Sequence, residues 1–325
     1  MAGRRTLGDL GESHLLREIF PLLPRGERTL LGPGDDAAVL AAPDGRVVLT
    51  TDVLVEGRDF RREWSSAADV GAKAVAGNLA DVAAMGAVPT GLLVSLVAPP
   101  ETDVEWALGL SRGMAEACAG TGIGVVGGDL SSGSQLVVAV TAVGDLEGRA
   151  PVRRDGARPG DVVAVAGLLG RSAAGWHLLR EGRADLAPEL VAAHRRPNPP
   201  LAAGPAAAAA GATAMIDVSD GLLRDLGRVA AASGVLIDLE RDLLAADADA
   251  VSTAADALGA DPWTWVLGGG EDHGLAACFG PDAGLPAGFR RIGTVANGRV
   301  GEPRVLLDGG VPPSAPGWDH FRISS

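Results

Sequence analysis

The sequence predicts an α/β (α+β) protein of two domains built on mixed sheets, and three observations carry this. Short β-branched apolar runs alternate with helix-like segments in both halves of the 325-residue chain. A turn-rich segment, "PVRRDGARPGD" at 151–161, lies near the midpoint and places a boundary just before it, giving domains 1–148 and 149–325. The segment "ADVGAKAVAGNLADVAAMGA" is apolar nearly all round when its residues are set at about 100° intervals, the pattern of a buried helix.

The elements follow in order. Residues 46–56, "RVVLTTDVLVE", read as a strand interrupted by Thr50, Thr51 and Asp52. A helix over 66–86 starts near Ser65 or Ser66, and 91–98 is a strand. "TDVE" at 102–105 fits a capping box with Thr102 as N-cap, opening a helix to about Ala119. "IGVVGGD" and "QLVVAVTAVG" are strands. In the second half "DVVAVAG" is a strand, "SAAGWHLLREG" a helix and "HRRPNPP" a loop, before an alanine-rich helix near 201–211. "AMIDVS" is a strand running into the helix "DGLLRDLGRVAAAS", and strands at 235–240, 274–279, 289–295 and 303–307 complete the chain. There is no fixed-period repeat.

Composition narrows the function classes. A net charge of −13 argues against a nucleic-acid or anionic-membrane surface. Cys118 and Cys278 stand far apart and specify neither a disulfide framework nor a zinc site. No secretory signal and no convincing membrane span is read, so a soluble cytoplasmic protein is expected. An acidic protein that handles phosphate needs a local source of positive charge.

Aspartates recur where apolar runs meet glycine-rich turns: Asp35 and Asp36, Asp52, Asp81, Asp129, and Asp217 with Asp220. Asn78 and Asp81 share a face of the buried helix, where a carboxylate needs a partner from outside: a cation, an arginine or backbone amides. Lys73 is a poor partner for it, about 80° away and two turns distant. Capping of a neighbouring loop would satisfy Asp81 equally well. Solvated turns would account for "GDD" at 34–36, and Ser219 or Asp220 as an N-cap for part of "IDVSDGL". Together, hard oxygen donors with few histidines and cysteines suit Mg²⁺ or Ca²⁺, and Mg²⁺ works beside phosphates. Neither a P-loop nor a kinase-type motif set is present.

"GPGDDAAVL", "TTDVLVEGRDF", "KAVAGNLADVAAMGAVP", "GGDLSSG", "RRDGARPGD", "IDVSDGL", "GGGEDHGL" and "GWDHF" stand in the order found in the thiamine-monophosphate kinase family, and the resemblance spans about 11–321. The wider superfamily holds aminoimidazole ribonucleotide synthetase, selenophosphate synthetase and a hydrogenase maturation factor; the cysteines that the last two would call for are not read here. The resemblance implies an N-terminal domain that binds ATP and Mg²⁺ and pairs across a homodimer into a β-barrel, with a C-terminal α/β domain contributing to the active-site cleft. It implies phosphorylation of thiamine monophosphate to thiamine diphosphate by in-line transfer from ATP, assisted by several Mg²⁺ ions.

Residue by residue, Asp36, Thr50, Thr51, Asp52, Asp81, Asp129, Asp217 and Asp220 match Mg²⁺-ligand positions, with Asp36, Asp81 and Asp217 the most critical. Gly128, Asp129, Arg154 and Ser219 match nucleotide contacts. Glu271 and Trp318 match substrate contacts, and Asp59 is expected on the substrate side. The chain departs from the family pattern at Asp59, often histidine; at His273 and Gly274, in "GGEDHGL" for "GGEDYEL"; and at Trp318, where the family has tyrosine. Two other readings compete: a Mg²⁺-dependent phosphatase, since "DVSDGL" resembles the loop of the inositol-monophosphatase group, and a non-catalytic nucleotide- or metal-binding protein on the same fold.

Overall fold

The computed structural model describes residues 5–34, 37–298, 304–313 and 317. One unit holds the chain up to Val82 together with Val88–Glu147; the other holds Ala83–Ala87 and the chain from Gly148 on.

The N-terminal unit comprises α1 (Leu7–Leu10), α2 (Glu12–Ile19), β1 (Thr29–Leu31), β2 (Val39–Leu40), β3 (Val48–Val55), α3 (Ala67–Ala84, whose last two residues fall in the other unit), β4 (Val88–Ala98), α4 (Val104–Cys118), β5 (Gly124–Ser132) and β6 (Val137–Asp145). β1 and β2 form a small ladder. The main sheet has the order β3-β6-β4-β5, with β4 and β5 parallel and the other pairs antiparallel. Parallel strands need a crossover, and α4 supplies it.

Ser66 and Asp69 cap α3 reciprocally: Ser66 Oγ accepts from Asp69 N (3.2 Å) and Asp69 Oδ2 from Ser66 N (2.9 Å). Every residue from Gly71 to Ala80 is buried, as the all-round apolar pattern predicts. α3 and α4 meet through Gly71 and Gly113, where a Cβ would strike the carbonyls of Leu110 and Ala68. The N-cap of α4 is Asp103, which accepts from Glu105 N at 3.0 Å; Thr102, the expected cap, sits one residue too early and is buried. The helix side of the sheet is sealed by Val138, Val140 and Ala142. On the opposite face Leu49, Val53 and Leu93 remain 63%, 49% and 40% exposed.

The C-terminal unit comprises β7 (Val162–Ala166), α5 (Arg171–Arg180), α6 (Pro188–Arg195), α7 (Ala203–Ala209), β8 (Ala214–Val218), α8 (Leu222–Ser233), β9 (Val235–Leu239), α9 (Ala245–Ala250), α10 (Ser252–Leu258), α11 (Pro262–Gly268), β10 (Gly274–Phe279), β11 (Phe289–Asn297) and β12 (Val305–Leu307). Its sheet runs β12-β9-β11-β7-β10-β8 and is mixed, with β12 and β9 parallel. β8 and β10 are buried along their whole length, which is why β10 reads as an unbroken apolar run and β8 as one broken only by Asp217. An alanine-rich core, including Ala164, Ala166, Ala207 and Ala277, is closed by Phe279 and Phe289 at a 5.3 Å ring separation.

The sequence reading gave no helix at α6 or over 241–268. These helices are one or two turns long, so periodicity has too few residues to act on. α11 carried a usable signal: Asp261 accepts from Trp263 N at 3.0 Å and Pro262 follows as the first helical residue. Among the described residues no helix is long and apolar enough to cross a membrane.

Candidate functional site

In the N-terminal unit β3 is an edge strand, and α3 holds it through polar side chains. Thr50 Oγ1 donates to Asp81 Oδ2 at 2.7 Å. Asp52 N donates to Asn78 Oδ1 at 3.2 Å, while Asn78 Nδ2 donates to Ala74 O at 2.9 Å, which fixes the amide's orientation. Asp81 thus finds a hydroxyl as an outside partner. It is a half-buried break in the buried stretch that resumes at Val82, and Asp52 is exposed.

Strand alternation divides the other expected ligands. Side chains of consecutive residues point to opposite faces, so Thr51 lies opposite Thr50 and Asp52. It donates to Val140 O (2.9 Å) and accepts from Thr141 Oγ1 (3.2 Å). The ladder rows carry this across the sheet: Val53 pairs with Ala139, Ala139 with Ser95, and Ser95 with Asp129. Asp129 therefore shares the face of Thr51. It is three strand spacings from β3, about 14 Å. Gly128 is required by the sheet itself, since a Cβ there would strike Val94 O of β4; its smallness serves strand pairing.

Asp59 closes the turn after β3. Its Oδ2 accepts from Val55 N at 2.8 Å, and its carbonyl accepts from Lys73 Nζ at 3.3 Å. Of the flanking arginines, Arg62 pairs with Glu56, and Arg61 lies over the Trp64 ring at 4.9 Å.

In the C-terminal unit the segment 216–222 leaves β8 and enters α8. Asp217 is buried, with His273 Nδ1 3.7 Å from its Oδ2. Gly221, at φ 117°, precedes α8; neither Ser219 nor Asp220 caps it. The sequence reading missed the residue that organises this turn. Asp225, 0% exposed, accepts from the backbone N–H groups of Asp220 (2.9 Å) and Gly221 (3.1 Å). Arg228 bridges Asp225 and Asp220, each at 2.5 Å. Burial first, and the Asp217 charge second, push the Asp225 carboxyl up to about 7 against the pull of Arg228. The signal was present in the sequence: Asp225 stands within the apolar stripe Leu222, Leu226, Val229 of α8.

The loop 268–273 packs on this turn. Glu271 N donates to Ser219 O (2.8 Å) and His273 N to Val218 O (3.0 Å). Glu271 and His273 both adopt positive φ, 64° and 53°, conformations that L-residues hold only when the surroundings enforce them. Between them, Asp272 accepts from Gly170 N (2.6 Å) and Ser172 N (2.8 Å) at the start of α5. Burial raises its carboxyl to about 7. Glu271 Oε2 lies 3.5 Å from His194 Nδ1, which lies 3.1 Å from Ser172 Oγ. Arg154 is exposed, and its carbonyl accepts from Ser233 Oγ at 2.8 Å. Asp36, with Asp35, and Trp318 lie outside the described residues.

Among the described residues no three His, Cys, Asp or Glu side chains converge to hold a metal by themselves. The donors at hand are carboxylates and hydroxyls presented singly or in pairs. That set fits Mg²⁺, which keeps part of its water shell and completes its coordination with substrate phosphates.

Known proteins resemble this chain in sequence and fold. Residues 34–146 match the AIR synthase related protein N-terminal domain, and residues 158–276 match the corresponding C-terminal domain. The thiamine-monophosphate kinase of Mycobacterium tuberculosis is 54% identical over 321 residues, covering 97% of this chain and 93% of the relative. That of Corynebacterium glutamicum is 44% identical, covering 97% and 95%. Among solved structures, thiamine monophosphate kinase from Aquifex aeolicus superposes with a TM-score of 0.73 at 33% identity, covering 81% of this chain and 88% of that one. A structure of AaThiL complexed with AMPPCP and TMP superposes with a TM-score of 0.75 at 32% identity, covering 99% and 100%. With both domain families matched in order and identity sustained along nearly the whole chain, the protein belongs to the thiamine-monophosphate kinase family.

Proposed function

We propose that the protein transfers the γ-phosphoryl group of ATP to thiamine monophosphate, forming thiamine diphosphate, and that it works as a cytoplasmic homodimer. One observation carries the reading: the chain superposes over 99% of its length on a relative complexed with AMPPCP and TMP. AMPPCP is a non-hydrolysable ATP analogue, so that pair of ligands is a donor and an acceptor held together.

The acceptor is a phosphate oxygen, already ionised near neutral pH, so a strong general base is not required. Catalysis reduces to alignment and to neutralising charge on the transferred group. Mg²⁺, when bound, supplies that neutralisation. Asp81 and Asp52 would hold one ion from the helix side of the N-terminal sheet, with Thr50 fixing the Asp81 rotamer. Asp129, on the other face, would serve a separate ion or one shared with a second copy of the chain. Asp217, Asp220 and Asp36 complete the proposed ligand set, with Thr51. Gly128, Asp129, Arg154 and Ser219 would contact the nucleotide; Glu271, Trp318 and Asp59 the thiamine side. His194 is placed to steer Glu271.

The exposed apolar face of Leu49, Val53 and Leu93 supports a homodimer in which a second copy covers this sheet and closes a barrel. The test of function is purified protein with ATP, Mg²⁺ and thiamine monophosphate, products resolved by chromatography. ADP and thiamine diphosphate should appear in equal amounts. ADP with inorganic phosphate and no diphosphate would indicate hydrolysis and refute the proposal.

A further inference from the structure

Lysine and arginine together number 28 in this chain, and a single one of them is lysine: Lys73. Wherever else the protein needs a cation it uses arginine. Position 73 is also unlike the described arginines, none of which is buried, because Lys73 is 4% exposed, on the most buried stretch of α3. An ammonium is compact, with three donors on a flexible stem. A guanidinium is broad and planar, with five donors in a fixed fork. The lone lysine marks a place where the compact head is needed.

Lys73 Nζ donates to Asp59 O at 3.3 Å. That carbonyl belongs to a tightly closed turn. Val55 O accepts from both Arg58 N (3.1 Å) and Asp59 N (2.9 Å), and Gly57 N donates to Phe60 O (2.8 Å). Asp59 Oδ2 returns to Val55 N. The contact is one of three that run in step along α3: Lys73 to Asp59, Asn78 to Asp52, and Asp81 to Thr50. As the helix advances, the strand is read backwards. The last two contacts hold the metal-side residues, and the first holds the turn that bears Asp59 and Arg58.

We infer that Lys73 is a positioning residue for the acceptor substrate: it locks the 56–60 turn onto α3 and so sets the geometry of the thiamine side. The inference rests on the kinase reading above. Releasing Lys73 removes the tie of the Asp59 end of the turn to α3, while Glu56 stays held by Leu136 and Gln135 and Phe60 stays buried beside Trp106; Asn78 and Asp81 still hold Asp52 and Thr50. The effect therefore falls on thiamine monophosphate and spares ATP.

The test is steady-state kinetics of Lys73→Arg and Lys73→Met, with Mg²⁺ saturating. The KM for thiamine monophosphate should rise about tenfold in both, with kcat and the KM for ATP within about threefold of wild type. KM values unchanged in Lys73→Arg would overturn the proposal. So would an equal rise in both KM values, which marks a general structural role. A second measurement uses only wild-type protein. Lys73 carries the sole side-chain amine, so reductive methylation followed by peptide mass spectrometry reads its accessibility directly. Saturating thiamine monophosphate should slow methylation at Lys73 about fivefold or more, through suppression of local opening of the turn. Equal rates with and without it would overturn the proposal. Wild-type protein that turns over no thiamine monophosphate would overturn the kinase reading and this proposal with it; active wild type failing either test above would overturn this proposal alone.

Discussion

Asp225 offers a quantitative check on how the 216–222 turn is held. Its carboxyl is sealed from solvent and raised from 3.8 to about 7, chiefly by burial and next by the Asp217 charge. A raised carboxyl binds its proton more tightly in the folded state than in the unfolded one. Its stabilising contribution is therefore fully present below about pH 4 and is lost as pH climbs to about 7. Each pKa unit corresponds to about 1.4 kcal/mol, so the ionised form weakens the fold by about 4 kcal/mol relative to the protonated form. Asp225→Asn keeps an oxygen that can accept from Asp220 N and Gly221 N but cannot titrate. It also loses the Arg228 pair, whose arginine is more than a third exposed and worth at most about 1 kcal/mol. In urea unfolding without Mg²⁺ or nucleotide, the variant should be the less stable protein at pH 4.5. Between pH 4.5 and pH 7.5 it should gain on wild type by about 3 kcal/mol. Asp272 titrates in the same range in both proteins and cancels from the difference. Parallel stability profiles for the two proteins across this range would refute the reasoning.

Other substitutions separate the roles proposed above. Asp81→Asn retains an acceptor for Thr50 Oγ1, so the fold should survive, while kcat should fall about 10²–10³-fold; unchanged turnover at limiting Mg²⁺ would contradict this. Asp59→Ala should raise the KM for thiamine monophosphate and leave that for ATP nearly unchanged, whereas Asp59→Asn, which still accepts from Val55 N, should stay close to wild type. Kinetics in which Asn is as impaired as Ala would instead assign the Asp59 charge to the cationic thiazolium. If Asp129 meets the ion held by Asp81 across a homodimer, subunits carrying Asp81→Asn and Asp129→Asn should complement on mixing and refolding, recovering about a quarter of wild-type activity. Activity no higher than that of the separate variants would place Asp129 at an ion of its own chain.

Much of the fold was legible because its signals are local. α3 reads as a buried helix from its all-round apolar pattern, and β8 and β10 read as strands from short apolar runs between turns, β8 broken only by Asp217. The short helices between β9 and β10 escaped because one or two turns leave little periodicity. At the site, sequence order marked the aspartates but could not say which face each occupies. "TTD" reads as a triplet of donors, yet strand alternation turns Thr51 away from Thr50 and Asp52. Likewise Gly128 reads as room for a ligand, whereas the neighbouring strand fills that room. Asp225 was readable as an acid within an apolar stripe. Asp272 was not: its partners, Gly170 and Ser172, lie about a hundred residues earlier in the chain, a pairing that no local pattern encodes.

The central claim is direct phosphoryl transfer between two bound phosphates, and the fate of the γ-phosphorus of ATP tests it most directly. The protein is incubated with γ-labelled ATP, Mg²⁺ and thiamine monophosphate, and the label is followed by ³¹P NMR and chromatography. The account predicts that the label moves into the terminal phosphate of thiamine diphosphate, one for each ADP formed. Label recovered as inorganic phosphate, with thiamine monophosphate unchanged, would contradict it.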